Sequence, residues 1–187
     1  MLRQMDESLS IETRLSEVYE LEAPVLMGYL SKRIDRDSAA DIVQESFIQL
    51  YNALKKRVAI ENEKAYLFGI ARNLLYKSYK QNLKESSDSI EAVLSMNIDG
   101  QNELSSGGID NPETLVMQKE MLTLLKDGLA GFTEEEKEIY ELRWYHELKQ
   151  KEIADIVKKS ERQIRRDLEK IVKKLRETFQ KNGWYNF

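Results

Sequence analysis

Residues 85–113 carry seven carboxylates (Glu85, Asp88, Glu91, Asp99, Glu103, Asp110, Glu113) and no lysine or arginine, in a run of Ser, Asn and Gly that ends in SSGGIDNP. Such a stretch cannot bury enough apolar surface to offset the entropy of ordering it. It therefore decides between one large domain and two small ones, a choice that a length of 187 residues leaves open. The expectation is a first domain over 1–84, a flexible acidic linker over 85–113 and a second domain over 114–187. As a coil the linker would span roughly 30 Å, and fully stretched about 95 Å.

Both flanks read as helical. Charged residues make up 33% and apolar ones 41%, with eight glycines and two prolines, the balance of an all-α protein rather than a sheet protein. Leu15, Val18, Tyr19, Leu21, Val25, Leu26, Tyr29 and Leu30 recur at helical spacing, and Pro24 suggests a break or a new first turn, hence one or two helices. After the charged turn KRIDRD, Ser38 and Asp41 have capping-box spacing, and Val43, Phe47, Leu50 and Leu54 form an apolar stripe ending near Lys56. A third helix over 64–83 buries Leu67, Ile70, Ala71, Leu74 and Leu75. Beyond the linker, Asn111 and Pro112 start a helix to about 128, and Thr133 with Glu136 caps another to about Trp144.

The segment KQKEIADIVKKSERQIRRDLEKIVKKLRE divides into a short helix with Ile153, Ala154, Ile156 and Val157 inward, a turn at Lys158 and Lys159, and a helix capped by Ser160 with Gln163. That is the layout of a helix-turn-helix. Ile164, Leu168, Ile171 and Leu175 fall on one stripe, which turns Arg162, Arg165, Arg166, Glu169 and Lys173 outward, where a recognition helix enters a major groove. From 143 to 176 twelve Lys or Arg face six Asp or Glu, a surplus of +6 within a chain of net charge -4. Such clustering is the footprint of phosphate binding; the plainer alternative is a solvated basic helix face.

The third helix carries a second basic surface. Between 64 and 84 there are five basic residues and no acidic one, and Arg72, Tyr76, Tyr79 and Lys80 share one side. Cations beside rings suit unstacked bases, each stack contributing ~1 to 3 kcal/mol, comparable to the cost of unpairing one base. Against this, Tyr76 or Tyr79 taken singly reads equally well as a core residue with its hydroxyl at the rim.

Several chemistries are argued against. With no cysteine there is no disulfide framework, thiolate metal site or cysteine nucleophile, which fits the cytoplasm, and a lone His146 reads as a packing or surface residue. No glycine-rich phosphate loop or nucleophile with its base is visible, so no catalytic residue, metal or cofactor is expected. The charged N-terminus is not a signal peptide, and no run approaches ~20 apolar residues, so no membrane insertion is expected. Trp144 reads as a core anchor of the second domain, and the tail GWYNF is left unassigned.

DIVQESFIQLYNAL and AYLFGIARNLLYKSYK in the first domain, with FTEEEKEIYELRWYHELKQKEIADIV and the helix-turn-helix in the second, resemble the extracytoplasmic-function (ECF) class of bacterial sigma factors. That resemblance implies two helical domains that bind core RNA polymerase, through the clamp helices of its largest subunit and the flap of the second-largest, and promoter DNA. It implies that Asp41, Gln44, Glu45, Phe47 and Ile48 bind polymerase. Asn62, Lys64, Arg72, Asn73, Tyr76, Lys77, Tyr79 and Lys80 would contact and melt the minus-ten element, where the loop near 57–63 captures a flipped base. Lys149, Lys159, Ser160, Arg162, Gln163, Arg165, Arg166 and Glu169 would read the minus-thirty-five element. It further implies an anti-sigma factor as inhibitor, and RNA synthesis left to the polymerase. Two positions depart from the family pattern: Lys77 where an acidic residue is common, and Lys158 where the turn often has glycine.

Three rivals remain beside it. A conventional helix-turn-helix regulator would bind its operator tightly without polymerase. A helical protein-interaction adaptor would bind DNA with a salt slope near zero. An enzyme of unrecognised type would need a reaction centre that no motif supplies.

Overall fold

The computed structural model describes the backbone of residues 2–85 and 112–183, and the side chains of 11–81 and 119–183. The described residues are all-α and fall into two units that divide at 100/101, inside the acidic stretch. The stretch itself lies outside the described residues, apart from its two ends, as does all of the aromatic tail beyond Gly183.

The first unit is a three-helix bundle: α1 (Leu2–Ser31), α2 (Arg36–Lys55) and α3 (Glu63–Glu85) pack pairwise against one another. Leu26, Tyr29 and Leu30 of α1, Leu50 of α2, and Leu67, Phe68 and Leu75 of α3 are fully buried. The break expected at Pro24 does not occur; α1 runs through it. Pro24 is exposed, so the amide hydrogen bond it removes lies on the wet side, while Ala23 and Leu26 hold the helix to the core. The cap expected at Ser38 is also corrected. Asp35 is the N-cap of α2, its Oδ1 accepting from the Ser38 amide at 2.9 Å, because buried Ala39 needs a helix already formed one turn earlier. That bond lowers the Asp35 pKa. Asn62 starts α3 in the same way, its Oδ1 accepting from the Ala65 amide at 3.2 Å.

The second unit holds α4 (Pro112–Ala130), α5 (Glu134–Tyr140), α6 (Gln150–Val157) and α7 (Glu161–Lys181). Gly128 lets α4 approach α7, where an added Cβ would stand 3.0 Å from Leu175 Cδ2. The Thr133–Glu136 capping box forms as the spacing requires. After α5 the chain continues as a π-helical turn, Glu141–Tyr145, which shifts the helical phase. Leu142 and His146 therefore turn inward, while Trp144 stays 43% exposed, stacked on Tyr140 at 5.0 Å. The expectation that Trp144 anchors the core is thus corrected; Ile139, Leu142 and Leu148 do so.

Candidate nucleic-acid interface

α6 and α7 form the helix-turn-helix. Ile153, Ala154, Ile156 and Val157 of α6 are buried, as are Ile164, Leu168 and Ile171 of α7. The turn is closed by Lys158, a non-glycine residue in the left-handed region at φ 61°, whose amide donates to the Ala154 carbonyl. Ser160 Oγ then accepts from the Gln163 amide at 3.2 Å and starts α7. Arg162, Arg165, Arg166, Glu169 and Lys173 are all exposed along one side of α7, and Lys149 is exposed at the start of α6. Arg165 pairs with Glu169 only loosely, at 3.8 Å with both side chains mostly in solvent, so its cation remains available to a phosphate or a guanine edge.

Two expected members of that surface lie elsewhere. Lys159 bridges Glu135 of α5 at 2.8 Å and Asp167 of α7 at 3.1 Å, and Asp167 also accepts from Gln163 Nε2 at 2.8 Å. Burial works against the Lys159 ammonium, but the two carboxylates outweigh it and raise its pKa. Further along the same side, Lys170 and Lys174 reach Glu136 at 2.8 and 2.9 Å. Lys159 and Gln163 therefore belong to a row that fastens α7 to α5, not to the outward row. Burial would raise the Glu136 pKa, yet hydrogen bonds from Lys170, Lys174 and the Thr133 amide hold it at about 2. No motif marked this row; a cue lay in the four-residue step from Lys170 to Lys174 beside EEE at the start of α5.

On the first unit, α3 presents Asn73, Tyr76, Lys77 and Lys80 to solvent. The Arg72 guanidinium lies over the Tyr76 ring at 4.4 Å and donates from Nη2 to Tyr76 Oη at 3.2 Å, although Arg72 is itself largely covered. Tyr79 is corrected: at 4% exposure it cannot receive a base, and its hydroxyl donates to the Arg33 carbonyl at 2.7 Å. Lys64 stands 3.9 Å from Glu22 Oε2, so much of its charge is met by α1, and Arg14 pairs with the neighbouring Glu63. Asn62 is engaged as the cap of α3.

On α2, Asp41, Gln44, Glu45 and Ile48 form one exposed strip, with Gln49 Nε2 donating to Glu45 Oε1 at 2.8 Å. Phe47 does not belong to the strip. It is buried and meets the Tyr19 ring edge-on at 4.8 Å, supporting the strip from beneath.

Among the described residues no group of His, Cys, Asp and Glu could hold a metal ion, and no helix is long and apolar enough to cross a membrane. The fold and its surfaces define a two-part helical DNA-binding protein. Comparison with known families is specific: Sigma-70 region 2 matches residues 18–85 and Sigma-70, region 4 matches 128–177. The chain belongs to the sigma-70 family of transcription initiation factors. The co-crystal structure of the sigma factor RpoE in complex with the anti-sigma factor NepR from Bartonella quintana has a similar fold. Its sigma chain matches with a TM-score of 0.61 and 20% identity, over 88% of this chain and 96% of that one. A comparison with curated protein sequences returns no match.

Proposed function

We propose that this chain binds core RNA polymerase through the exposed strip of α2, brings it to promoters, and holds the minus-ten region open with α3. In this reading α7 reads the minus-thirty-five element through Arg162, Arg165, Arg166 and Glu169. The observation that carries it is the coexistence, in one chain, of an uncovered acidic and apolar strip on α2 with two separate cationic surfaces, on α3 and α7. A regulator that acts alone needs only the last of these.

The chemistry of melting follows from Tyr76, which is 37% exposed and braced by Arg72. A ring fixed beside a cation can accept an unstacked base without ATP, since stacking offsets most of the cost of unpairing. The chain supplies specificity and leaves RNA synthesis to its partner. The acidic stretch at 85–113 would be repelled by DNA and drawn to a basic channel built for nucleic acid, so we place it in the polymerase cleft. Neutralising its seven carboxylates without effect on promoter escape would reject that placement. An anti-sigma factor of the kind bound to RpoE in the related complex is proposed as the inhibitor.

Run-off transcription with purified core polymerase and a promoter library tests the reading. New start sites that depend on this chain are expected. Tight operator binding by the chain alone, with no binding to core, would replace it with a conventional regulator.

A further inference from the structure

The charged turn KRIDR between α1 and α2 packs on Tyr79 of α3, at the edge of the face that α3 presents to solvent. Arg33 lies with its guanidinium over the Tyr29 ring at 3.9 Å, and its Nη1 donates to the Tyr29 carbonyl at 2.6 Å. Tyr29 in turn meets Phe68 of α3 edge-on at 5.0 Å. About three turns further along α3, the Tyr79 hydroxyl holds the Arg33 carbonyl, and the Tyr79 ring meets Tyr76 at 6.3 Å. Phe68, Arg72 and Tyr79 fall within about 40° of one another around α3, at 100° per residue. Arg33 is thus placed along the side of α3 that carries Arg72, at an axial level between Phe68 and Tyr79.

Each of the two guanidiniums rests on a tyrosine face, an arrangement that orients the plane of the cation before any ligand arrives. We infer that Arg33 is a further nucleic-acid contact: the α1–α2 turn and α3 together clamp a backbone phosphate of the DNA strand that α3 engages. Tyr79, buried and unable to stack with a base, is the positioning residue that holds the turn in place. The inference rests on the DNA-binding role of α3 proposed above. It assigns the cation of a neighbouring element to the same strand.

The test measures how binding falls with salt, because each phosphate neutralised contributes ~0.9 to the log-log slope for duplex DNA and ~0.7 for a single strand. Arg33→Gln and Arg33→Lys are compared with wild type, as the full chain bound to core polymerase on a run-off-selected promoter, and as the chain alone on a mixed-sequence duplex. Arg33→Gln is expected to lower the slope by ~0.7 to 0.9 and to weaken binding roughly five- to tenfold near 0.1 M salt. Arg33→Lys, which keeps the charge, is expected to retain the slope. Tyr79→Phe keeps the core ring and frees the turn, and is expected to weaken binding in the same direction. An unchanged slope in Arg33→Gln overturns the proposal, including the case where only its thermal midpoint falls, which is the signature of a residue that merely closes the end of α1. Should Arg33→Gln not fold, loss of slope in Tyr79→Phe supports the clamp and an unchanged slope sinks it. Failure of the wild type to bind core would remove the sigma reading, while the mixed-sequence duplex still decides Arg33.

Discussion

Lys158 holds φ at 61°, and a residue with a Cβ pays for that conformation where glycine does not. Replacing it with glycine should raise the stability of the second unit by about 1 kcal/mol, visible as a higher urea midpoint at unchanged slope. Tryptophan emission can follow this in the intact chain, because both tryptophans, Trp144 and Trp184, lie in the second half. The same probe reads Glu136. Its carboxyl titrates at about 2 when folded against an ordinary 4.5, so its stabilising effect is complete above 4.5 and is lost as pH falls from there toward 2. That window is worth about 2 to 3 kcal/mol, less what the exposed lysine partners lose to solvent screening. In Glu136→Gln the second unit should be destabilised at neutral pH, and its midpoint should change little between pH 5 and pH 3, where the wild type loses ground.

At the level of elements, α1 is the helix whose sequence most disagrees with its structure. It carries Pro24 and Gly28 in its interior, both exposed, and nothing stands within 4 Å of a Cβ placed on Gly28. Gly28→Ala should therefore stabilise the first unit by roughly 0.5 to 1 kcal/mol, checked by the thermal midpoint of the intact chain. A decrease would mean that this face of α1 is covered. In α7 two rows with different duties run side by side: Arg162, Arg165, Arg166 and Glu169 face solvent, while Lys159 from the turn, Gln163, Asp167, Lys170 and Lys174 tie α7 to α5. Alanine at Arg162, Arg165 or Arg166 should weaken promoter binding with little change in midpoint, whereas alanine at Asp167 should lower the midpoint first.

For the whole molecule, the decisive question is whether the α2 strip and the cationic surfaces act through one partner. Ile48 is 45% exposed, so Ile48→Asp should leave the unfolding free energy within about 0.5 kcal/mol of wild type, checked by urea denaturation. If α2 meets the polymerase there, the same change should weaken core binding at least tenfold, as loss of an apolar anchor at an interface does. Unimpaired core binding by Ile48→Asp would move the docking site off this strip.

Much of this was legible in the residue order. Helical periodicity, the Thr133 and Ser160 caps and the acidic break between two apolar patterns depend on neighbours within a few positions, so local spacing alone marked out the described helices, except for their number around Pro24, and the outward row Arg162 to Glu169. Tertiary structure decided what spacing cannot. Tyr76 and Tyr79 share a helix face and a chemical type, but only Tyr79 lies under the α1–α2 turn, and so of the two only Tyr76 is exposed. Phe47 sits between the exposed strip and the core, and the packing of Tyr19 against it settled the side. Trp144 was turned out by a π-turn that adds one residue to the helical count, and Lys159 was drawn from the groove by Glu135, twenty-four positions away. In each case the deciding contact joins residues distant in sequence or alters the phase by which neighbours are counted, and periodicity carries no record of either.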